Sequence, residues 1–297
     1  MKKYFKIYVI GYLMGAADLI PGVSGGTIAF LSGIYEELIV GIKTLSGPVL
    51  RLFLTFKFKQ AINLIQFKFL IPLAIGLLSA TLSLARLLNF LLLNYPIYVW
   101  ALFFGLVFAS TFVVLKKITA WNYKLIILFL ISSFITYIVV GAIPIETPNT
   151  LFYIFLSGVI AVCAMILPGI SGSFILVLLG KYSQILGAIT NKDLLTLFVF
   201  ALGCAVGISI FSRILSFIFK NYHNVAIAIL AGVMFGSIRK LWPFKITLLS
   251  ATNRNGDIIP VIQNNVLPWN YNKETYFALL LMLLGFLVMF AFDKVKK

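Results

Sequence analysis

Two long stretches without charge limit what this chain can fold into more than any other feature. Residues 97–115 and 125–143 contain no Asp, Glu, Lys or Arg. A helix of ~19 residues nearly crosses a hydrocarbon layer ~30 Å thick. The whole chain is 62% hydrophobic and 11% charged, whereas soluble domains are roughly half apolar and a quarter charged. The sequence therefore predicts an integral membrane protein.

The charged and metal-binding residue types exclude several classes of function. The net charge of +16 would suggest a nucleic-acid partner in a soluble protein. Here most Lys and Arg lie in short loops and at span ends, where they set orientation. His223 is the single histidine, and both cysteines lie in apolar runs. We therefore expect no nucleic-acid partner, no metal site, no cofactor and no Ser-His catalytic pair.

The chain contains an internal repeat. The motif Pro21–Gly26 (PGVSGG) returns as Pro168–Ser173 (PGISGS), an offset of 147. A second block returns at an offset of 127, and the difference is an insertion at residues 45–69 of the first copy. The matched pairs of the two blocks are Gly33 with Gly180, Tyr35 with Tyr182, Gly76 with Gly203, Arg86 with Arg213 and Gly105 with Gly232. We interpret residues 1–143 and 151–297 as two repeats of one unit.

The hydropathy pattern predicts an all-α polytopic membrane protein. Six full spans are expected near residues 70–93, 97–115, 125–143, 195–219, 223–240 and 275–292. Residues 4–43 and 151–190 each hold two short apolar runs separated by the Pro-Gly-x-Ser-Gly break. Such a break is tolerated only where protein or water meets the backbone. We expect each to be a re-entrant helical hairpin, although two tilted full spans stay open.

One hairpin and three spans per repeat give the two copies inverted topology, as in many secondary transporters. The excess of Lys and Arg on one side predicts that both termini are cytoplasmic. The insertion at 45–69 is then either an interfacial helix or a basic cytoplasmic loop. The loop at 241–273 is extracytoplasmic, with a hairpin turn near residues 253–257. The sequence leaves open whether the protein is a monomer or a homodimer.

The two motifs are candidate anion sites. Glycines allow close backbone approach, and a half-helix that starts after the break presents N–H groups and a positive dipole end. Close helix packing by small residues is the alternative, but paired interruptions in inverted repeats favour a binding site. The candidate phosphate-binding residues are Ser24, Gly25, Gly26, Thr27, Ser171, Gly172 and Ser173.

Arg86 and Arg213 are a second matched pair inside apolar spans. An arginine there costs at least ~2.5 kcal/mol and usually faces a partner or a wet cavity. A guanidinium binds a phosphate with two parallel hydrogen bonds. We predict that both arginines contact the phosphate, with snorkelling to the interface as the alternative.

Three carboxylates are candidates for ion coupling. Asp18 precedes the first break, and Glu36 and Glu37 follow the first half-helix, whereas the second copy has Met165, Ser183 and Gln184 instead. Asp18 either caps the half-helix or carries a coupling proton. Glu36 and Glu37 can also carry a coupling proton, but only if they are not solvated at the membrane interface.

The stretch 15–27, with 33–38 behind it and 167–173 in the second half, resembles the PopT family of polyprenyl-phosphate transporters, long catalogued as a domain of unknown function. The resemblance covers nearly the whole chain. It implies a transporter, not an enzyme, in the cytoplasmic (inner) membrane of a bacterium. Its substrate would be the lipid undecaprenyl phosphate, returned from the outer to the inner leaflet for cell-wall and surface-glycan synthesis. Because inward movement of an anion opposes an inside-negative potential, we also expect proton or sodium coupling.

Two alternatives remain at this point. Membrane undecaprenyl-pyrophosphate phosphatases also have inverted repeats and a Pro-Gly-x-Ser motif, which would make Ser24 or Ser171 a nucleophile or phosphate ligand. Their motif carries an arginine directly after the serine, however, where this chain has Gly25 and Gly172. The second alternative is an ion-coupled carrier of a small anion.

Overall fold

The computed structural model describes residues 2–20, 23–145, 147–252, 258–268 and 272–295. The described chain is mostly helical and carries one antiparallel β-hairpin. The helices are α1 (Lys2–Asp18), α2 (Gly25–Ser32), α3 (Tyr35–Thr44), α4 (Leu50–Leu54), α5 (Phe58–Leu64), α6 (Phe67–Asn94), α7 (Pro96–Leu115), α8 (Tyr123–Val140), α9 (Leu151–Ile166), α10 (Gly172–Leu178), α11 (Tyr182–Asn191), α12 (Leu194–Asn221), α13 (His223–Leu241) and α14 (Lys273–Val295). The strands are β1 (Lys245–Thr252) and β2 (Ile258–Asn265).

The six predicted spans are confirmed as six helices long and apolar enough to cross a membrane: α6, α7, α8, α12, α13 and α14. In five of them, at most half of the apolar window is buried inside the protein. In α13, 67% of that window is buried. Helix α13 packs against α7 and α8, while α14 packs against α7. The chain is therefore a multi-pass membrane protein with α13 as its central helix.

Both Pro-Gly-x-Ser segments interrupt helices, as predicted. Helix α1 ends at Asp18 and α2 begins at Gly25, while α9 ends at Ile166 and α10 begins at Gly172. Pro21 and Gly22 of the first motif lie outside the described residues.

Each interrupted segment also contains a second break that the sequence did not predict. Gly33 (φ 75°) and Gly180 (φ 65°) follow α2 and α10 in the left-handed conformation, which ends a helix. The next helices, α3 and α11, start two residues later, and α10 and α11 meet at a bend of 106°. The matched glycines of the repeat thus follow the end of the short helix in both copies.

The two repeats make matching helix contacts. Gly11 of α1 lies against the Leu73 carbonyl oxygen of α6, and Gly158 of α9 lies against that of Phe200 in α12. These positions are related by the same offsets of 147 and 127 as the sequence repeat. Likewise, Gly76 meets the Tyr8 carbonyl and Gly203 meets that of Phe155. Glycine allows membrane helices to approach this closely because no side chain separates them.

The two interrupted segments contact opposite ends of the helix bundle. Lys117, just after α7, donates to the Phe30 carbonyl in α2 at 2.9 Å. Ile145, just after α8, donates its N–H to the Leu178 carbonyl at the end of α10 at 2.8 Å. Because α7 and α8 are consecutive and joined by a short turn, their C-terminal ends face opposite ways.

Two connecting segments have structure of their own. The insertion at 45–69 contains a π-helical turn (Leu45–Val49), α4, α5 and the start of α6. Strands β1 and β2 pair antiparallel in the loop before α14, with a register irregularity near Leu249. The strand pair β1 and β2 is therefore an exception to the predicted all-α fold. The predicted turn at 253–257 lies outside the described residues.

Candidate functional site

In the first motif, the side chains of Ser24 and the nearby Asp18 accept hydrogen bonds from backbone N–H groups. Ser24 is the N-cap of α2, and its Oγ accepts the Gly26 N–H at 3.1 Å. The Asp18 carboxylate accepts the Gly25 N–H at 2.6 Å, and the Thr27 N–H bonds to the Ser24 carbonyl at 2.9 Å. The first N–H groups of α2, predicted as donors to an anion, are thus already bonded, one of them to Asp18 as its alternative role of helix cap predicts. Ser24 and Thr27 are 1% and 2% exposed.

The first motif is also joined directly to the second interruption. Ser24 Oγ donates to the Met165 carbonyl at 3.3 Å, and Thr27 Oγ1 accepts the Gly169 N–H at 3.0 Å. Tyr35, which is 1% exposed, donates its hydroxyl to the Ile166 carbonyl at 3.1 Å. These groups would satisfy backbone atoms that the end of α9 leaves without helical partners. The two motifs, 147 residues apart in the chain, therefore form one contiguous region.

The second motif is more open than the first. Ser171 is the N-cap of α10, and its Oγ accepts the Phe174 N–H at 3.4 Å. The hydroxyls of Ser171 and Ser173 lie 2.7 Å apart. Ser173 is exposed and Gly172 is half-buried. The Ser173 hydroxyl can reach a ligand, whereas Ser171 is 9% exposed and Ser24 and Thr27 are buried more deeply.

Helix α13 contributes a cation to this region that the sequence analysis missed. Gly169 (φ 93°) lies so close to α13 that a Cβ on it would be 2.7 Å from Ser237 Oγ. About one turn further along α13, the Lys240 ammonium lies 4.7 Å from the centre of the Phe174 ring in α10. In the sequence, Lys240 is simply a basic residue at a span end, so no pattern marked it.

The matched arginines lie on exposed faces of their helices. Arg86 in α6 and Arg213 in α12 are both exposed, and neither forms a hydrogen bond or ion pair within the part of the chain that is described. The Arg213 guanidinium lies beside Gly47, where an added Cβ would be 3.3 Å from Nη2. Close by on α12, Ser216 accepts a 3.2 Å hydrogen bond from Lys43. Two cations thus lie together at the start of the insertion.

The three candidate carboxylates occupy different places. Asp18 lies at the first break with an exposed side chain, bonded to Gly25 N. Glu36 Oε1 is 3.6 Å from His223 Nδ1, with both side chains about half exposed, and Glu37 is exposed. Of the three, Asp18 alone lies within the region where the motifs meet. Among the described residues, no three His, Cys, Asp or Glu side chains cluster as metal ligands would.

Comparison with known proteins identifies the family. The model of a family described as undecaprenyl phosphate translocase-like matches residues 14–259. A Vibrio cholerae protein named polyprenyl-phosphate transporter is 36% identical over 297 residues, covering 98% of this chain and 96% of the relative. A Staphylococcus aureus protein of the same name is 30% identical over 252 residues, covering 78% and 84%. No solved structure matches the chain. The chain belongs to the undecaprenyl phosphate translocase-like family.

Proposed function

We propose that this protein transports polyprenyl phosphate, moving it from the outer to the inner leaflet of a bacterial cytoplasmic membrane for reuse in cell-wall and surface-glycan synthesis. The observation that carries the proposal is the direct contact between the two broken-helix motifs in a chain that is 36% identical to a polyprenyl-phosphate transporter. Broken helices that meet inside a membrane protein are typical of transporter substrate sites.

Inverted topology is part of the proposal. It is supported by the matching glycine contacts at offsets of 147 and 127 and by interrupted segments that touch opposite ends of the bundle. The repeats are then residues 1–143 and 151–297, each entering with a re-entrant hairpin. The positive-inside rule puts both termini, the insertion at 45–69 and Arg213 on the cytoplasmic side. The loop at 241–273 and Lys240 face outward.

The phosphate would move between two half-sites, one in the outer half and one in the inner half of the protein. In the outer half, the Ser171 and Ser173 hydroxyls, the Gly172 backbone and the nearby Lys240 ammonium offer donors and positive charge. In the inner half, the predicted ligands are Ser24, Gly25, Gly26 and Thr27, whose backbone donors are engaged in this conformation. Arg86 and Arg213 would bind the phosphate where it enters or leaves, while the prenyl chain stays in the lipid.

Asp18 connects substrate binding to ion coupling in this scheme. Its carboxylate holds the Gly25 N–H, the position that a phosphate would take at the start of α2. A phosphate and the carboxylate therefore compete for the same donor. Protonation of Asp18 weakens its bond to Gly25 and frees the donor, so that a proton and a phosphate move together. Sodium bound by the carboxylate would have the same effect.

Coupling to a cation concerns the electrical work of moving an anion into the cell. Moving an anion inward against an inside-negative potential costs ~2.3 kcal/mol per charge per 100 mV. A cation that accompanies each phosphate offsets that cost. Glu36 and Glu37 are alternative carriers, but their exposed position at the bundle end makes them less suited to exchange with the substrate.

The geometry around Ser24 gives no support to the phosphatase alternative with this serine as the nucleophile. A serine nucleophile needs an accessible oxygen and a base. Ser24 Oγ is 1% exposed and already bonded to Met165 and Gly26. The one histidine, His223, pairs with Glu36. Release of phosphate from undecaprenyl pyrophosphate by the purified protein, abolished in Ser24→Ala, would nevertheless overturn the transporter proposal.

A cell-based test follows from the direction of transport. In bacteria depleted of this protein and of other carriers for the same lipid, undecaprenyl phosphate should accumulate in the outer leaflet, where an impermeant reagent can label it. Expression of the wild-type chain should remove the accumulation. Unchanged surface labelling after depletion would contradict the proposal.

A further inference from the structure

A cleft of about 430 Å³ lies where α7, α8, α13 and the segment after β2 meet. Its walls are mainly aromatic, formed by Phe104, Phe108, Phe235 and Trp242. The Trp242 ring N–H donates to the Val266 carbonyl at 2.8 Å, which fixes the segment after β2 as one wall. We call this space the aromatic cleft. It lies at the end of the bundle where α8 and α13 end, and two of its lining residues, Phe104 and Ile238, also pack against the buried cluster that contains Val23 of the first motif.

One guanidinium faces the aromatic cleft and is held in place by its surroundings. Arg239 donates from Nη1 to the Tyr137 carbonyl at 2.9 Å, and its Cζ lies 4.4 Å from the centre of the Tyr137 ring. Gly141 has no side chain where this guanidinium lies, and any Cβ there would overlap it. An arginine has five N–H groups, of which this bond uses one among the described residues. The geometry is that of a prepositioned anion ligand.

Two lysines next to Arg239 add positive charge without a carboxylate to balance it. Lys245 donates to the Lys240 carbonyl at 2.7 Å and lies 4.4 Å from the centre of the Trp100 ring. Arg239, Lys240 and Lys245 have no salt bridge to any Asp or Glu in the parts of the chain that are described. Of these three residues, only Arg239 lines the cleft, whereas Lys240 and Lys245 lie beside it. An apolar cleft with a guanidinium at one end favours an amphiphilic anion, with its charge at Arg239 and its hydrocarbon along the rings.

The size of the aromatic cleft limits how much of such a ligand it holds. Its volume is in the range of small-molecule sites, so it suits a head group and the adjoining carbons, and a longer chain would extend into the bilayer. Lys240 connects this region to the second motif. Its ammonium lies over the Phe174 ring in α10, the helix that Ser171 caps. The cleft is therefore next to the second motif.

We infer that the aromatic cleft binds the phosphate monoester of a prenyl lipid through Arg239, with the first isoprene units against Phe104, Phe108 and Phe235. This is a loading site that the lipid occupies before it reaches Ser171 and Ser173. The inference rests on the proposed function for its substrate, but it concerns binding and needs no transport to be measured. Arg239 is preferred to a lysine here because its planar fork matches phosphate bidentately.

Photolabelling tests the inference on the full-length protein in phosphatidylcholine nanodiscs. The probe is farnesyl monophosphate with a diazirine on the first isoprene unit, and mass spectrometry locates the label. We expect label on the cleft aromatics, displaced by undecaprenyl phosphate but not by phosphatidylglycerol or inorganic phosphate at equal concentration. Arg239→Ala should reduce cleft labelling about tenfold or more, and Arg239→Lys should reduce it less.

Two further variants make the test independent of folding defects in Arg239→Ala. Leu267→Trp fills the cleft from an exposed wall position while keeping Arg239, so it should also abolish cleft labelling. Arg51→Ala removes an exposed arginine of α4, outside the cleft, and should label like the wild type.

The outcomes separate this inference from the proposed function. An unlabelled cleft in the wild type, or wild-type labelling in both Arg239→Ala and Leu267→Trp, would overturn the inference even if transport is normal. Displacement by phosphatidylglycerol as effective as by undecaprenyl phosphate would overturn the prenyl assignment in favour of a general anionic-lipid site. Cleft labelling in a protein that fails to transport would uphold the inference and count against the proposed function.

Discussion

Substitution of Asp18 separates its two candidate roles, helix cap and coupling group. Its carboxylate accepts the Gly25 N–H at 2.6 Å. Asp18→Ala removes this acceptor, and loss of a cap costs ~0.5–2 kcal/mol of stability, with the upper half of that range expected because the acceptor is charged. Asp18→Asn keeps an acceptor oxygen and should cost less than ~0.5 kcal/mol, since Asn and Asp cap about equally well.

Transport, unlike stability, should be impaired even by the conservative substitution Asp18→Asn. Without a compensating cation, a 100 mV inside-negative potential costs ~2.3 kcal/mol per charge. This is a factor of ~50 in the inner-to-outer ratio of the lipid at equilibrium. Asp18→Asn cannot release a proton, so it should lose the gradient-driven accumulation while remaining folded.

The assay combines thermal unfolding in detergent with lipid accumulation in energised vesicles for the wild type, Asp18→Ala and Asp18→Asn. Glu274→Gln is the matched control, because it removes an exposed carboxylate in the first turn of α14 that has no part in the coupling scheme, and it should leave both readouts unchanged. If Asp18→Asn accumulates the lipid like the wild type under the same gradient, Asp18 is a cap only, and the coupling scheme is refuted. Equal destabilisation by Asn and Ala would refute the capping role.

Three other predictions concern packing and charge. Thr27→Val should cost ~1–3 kcal/mol of stability, because it leaves the buried Gly169 N–H without its acceptor; unchanged unfolding would show that this bond between the motifs is unimportant. Gly76→Ala should destabilise strongly, since its Cβ would overlap a backbone carbonyl of α1, whereas Gly187→Ala meets no atom within 4 Å and should be neutral or slightly stabilising; similar melting temperatures for the two would contradict the close contact. Burial and the nearby positive charge of Lys240 lower the pKa of Lys245 to about 7, so the unfolded chain binds an extra proton between about pH 7 and 10 and stability should rise with pH over that range; a Lys245→Met variant with the same rise in melting temperature would refute this.

The sequence was most informative where hydropathy alone decides the structure. The uncharged runs predicted the six spans. The ends of the helices differ from the predicted ends by a few residues, because capping and local hydrogen bonds determine where a helix ends. The repeat correctly located both broken helices. It also contained the signal for the second break, since Gly33 and Gly180 match each other, but only the positive φ angles make them helix ends.

Other features depended on contacts that no local pattern encodes. The bonds from Thr27 to Gly169 and from Tyr35 to Ile166 join residues more than a hundred positions apart. The positions of Lys240 over Phe174 in α10 and of Arg239 beside Tyr137 in α8 depend on how α13 packs. In the sequence they are only two basic residues at a span end. The bond from the Gly25 N–H to Asp18 matches the capping role that the sequence allowed for this carboxylate.

Reconstitution tests the central claim most directly. The purified protein is placed in sealed vesicles that contain undecaprenyl phosphate in both leaflets, and a soluble phosphatase that cannot cross the membrane is added outside. The account predicts that lipid from the inner leaflet becomes accessible and is dephosphorylated in vesicles with the protein, while protein-free vesicles lose only the outer-leaflet pool. If vesicles with correctly folded protein also lose only the outer-leaflet pool, the protein does not move polyprenyl phosphate across the membrane, and the account is contradicted.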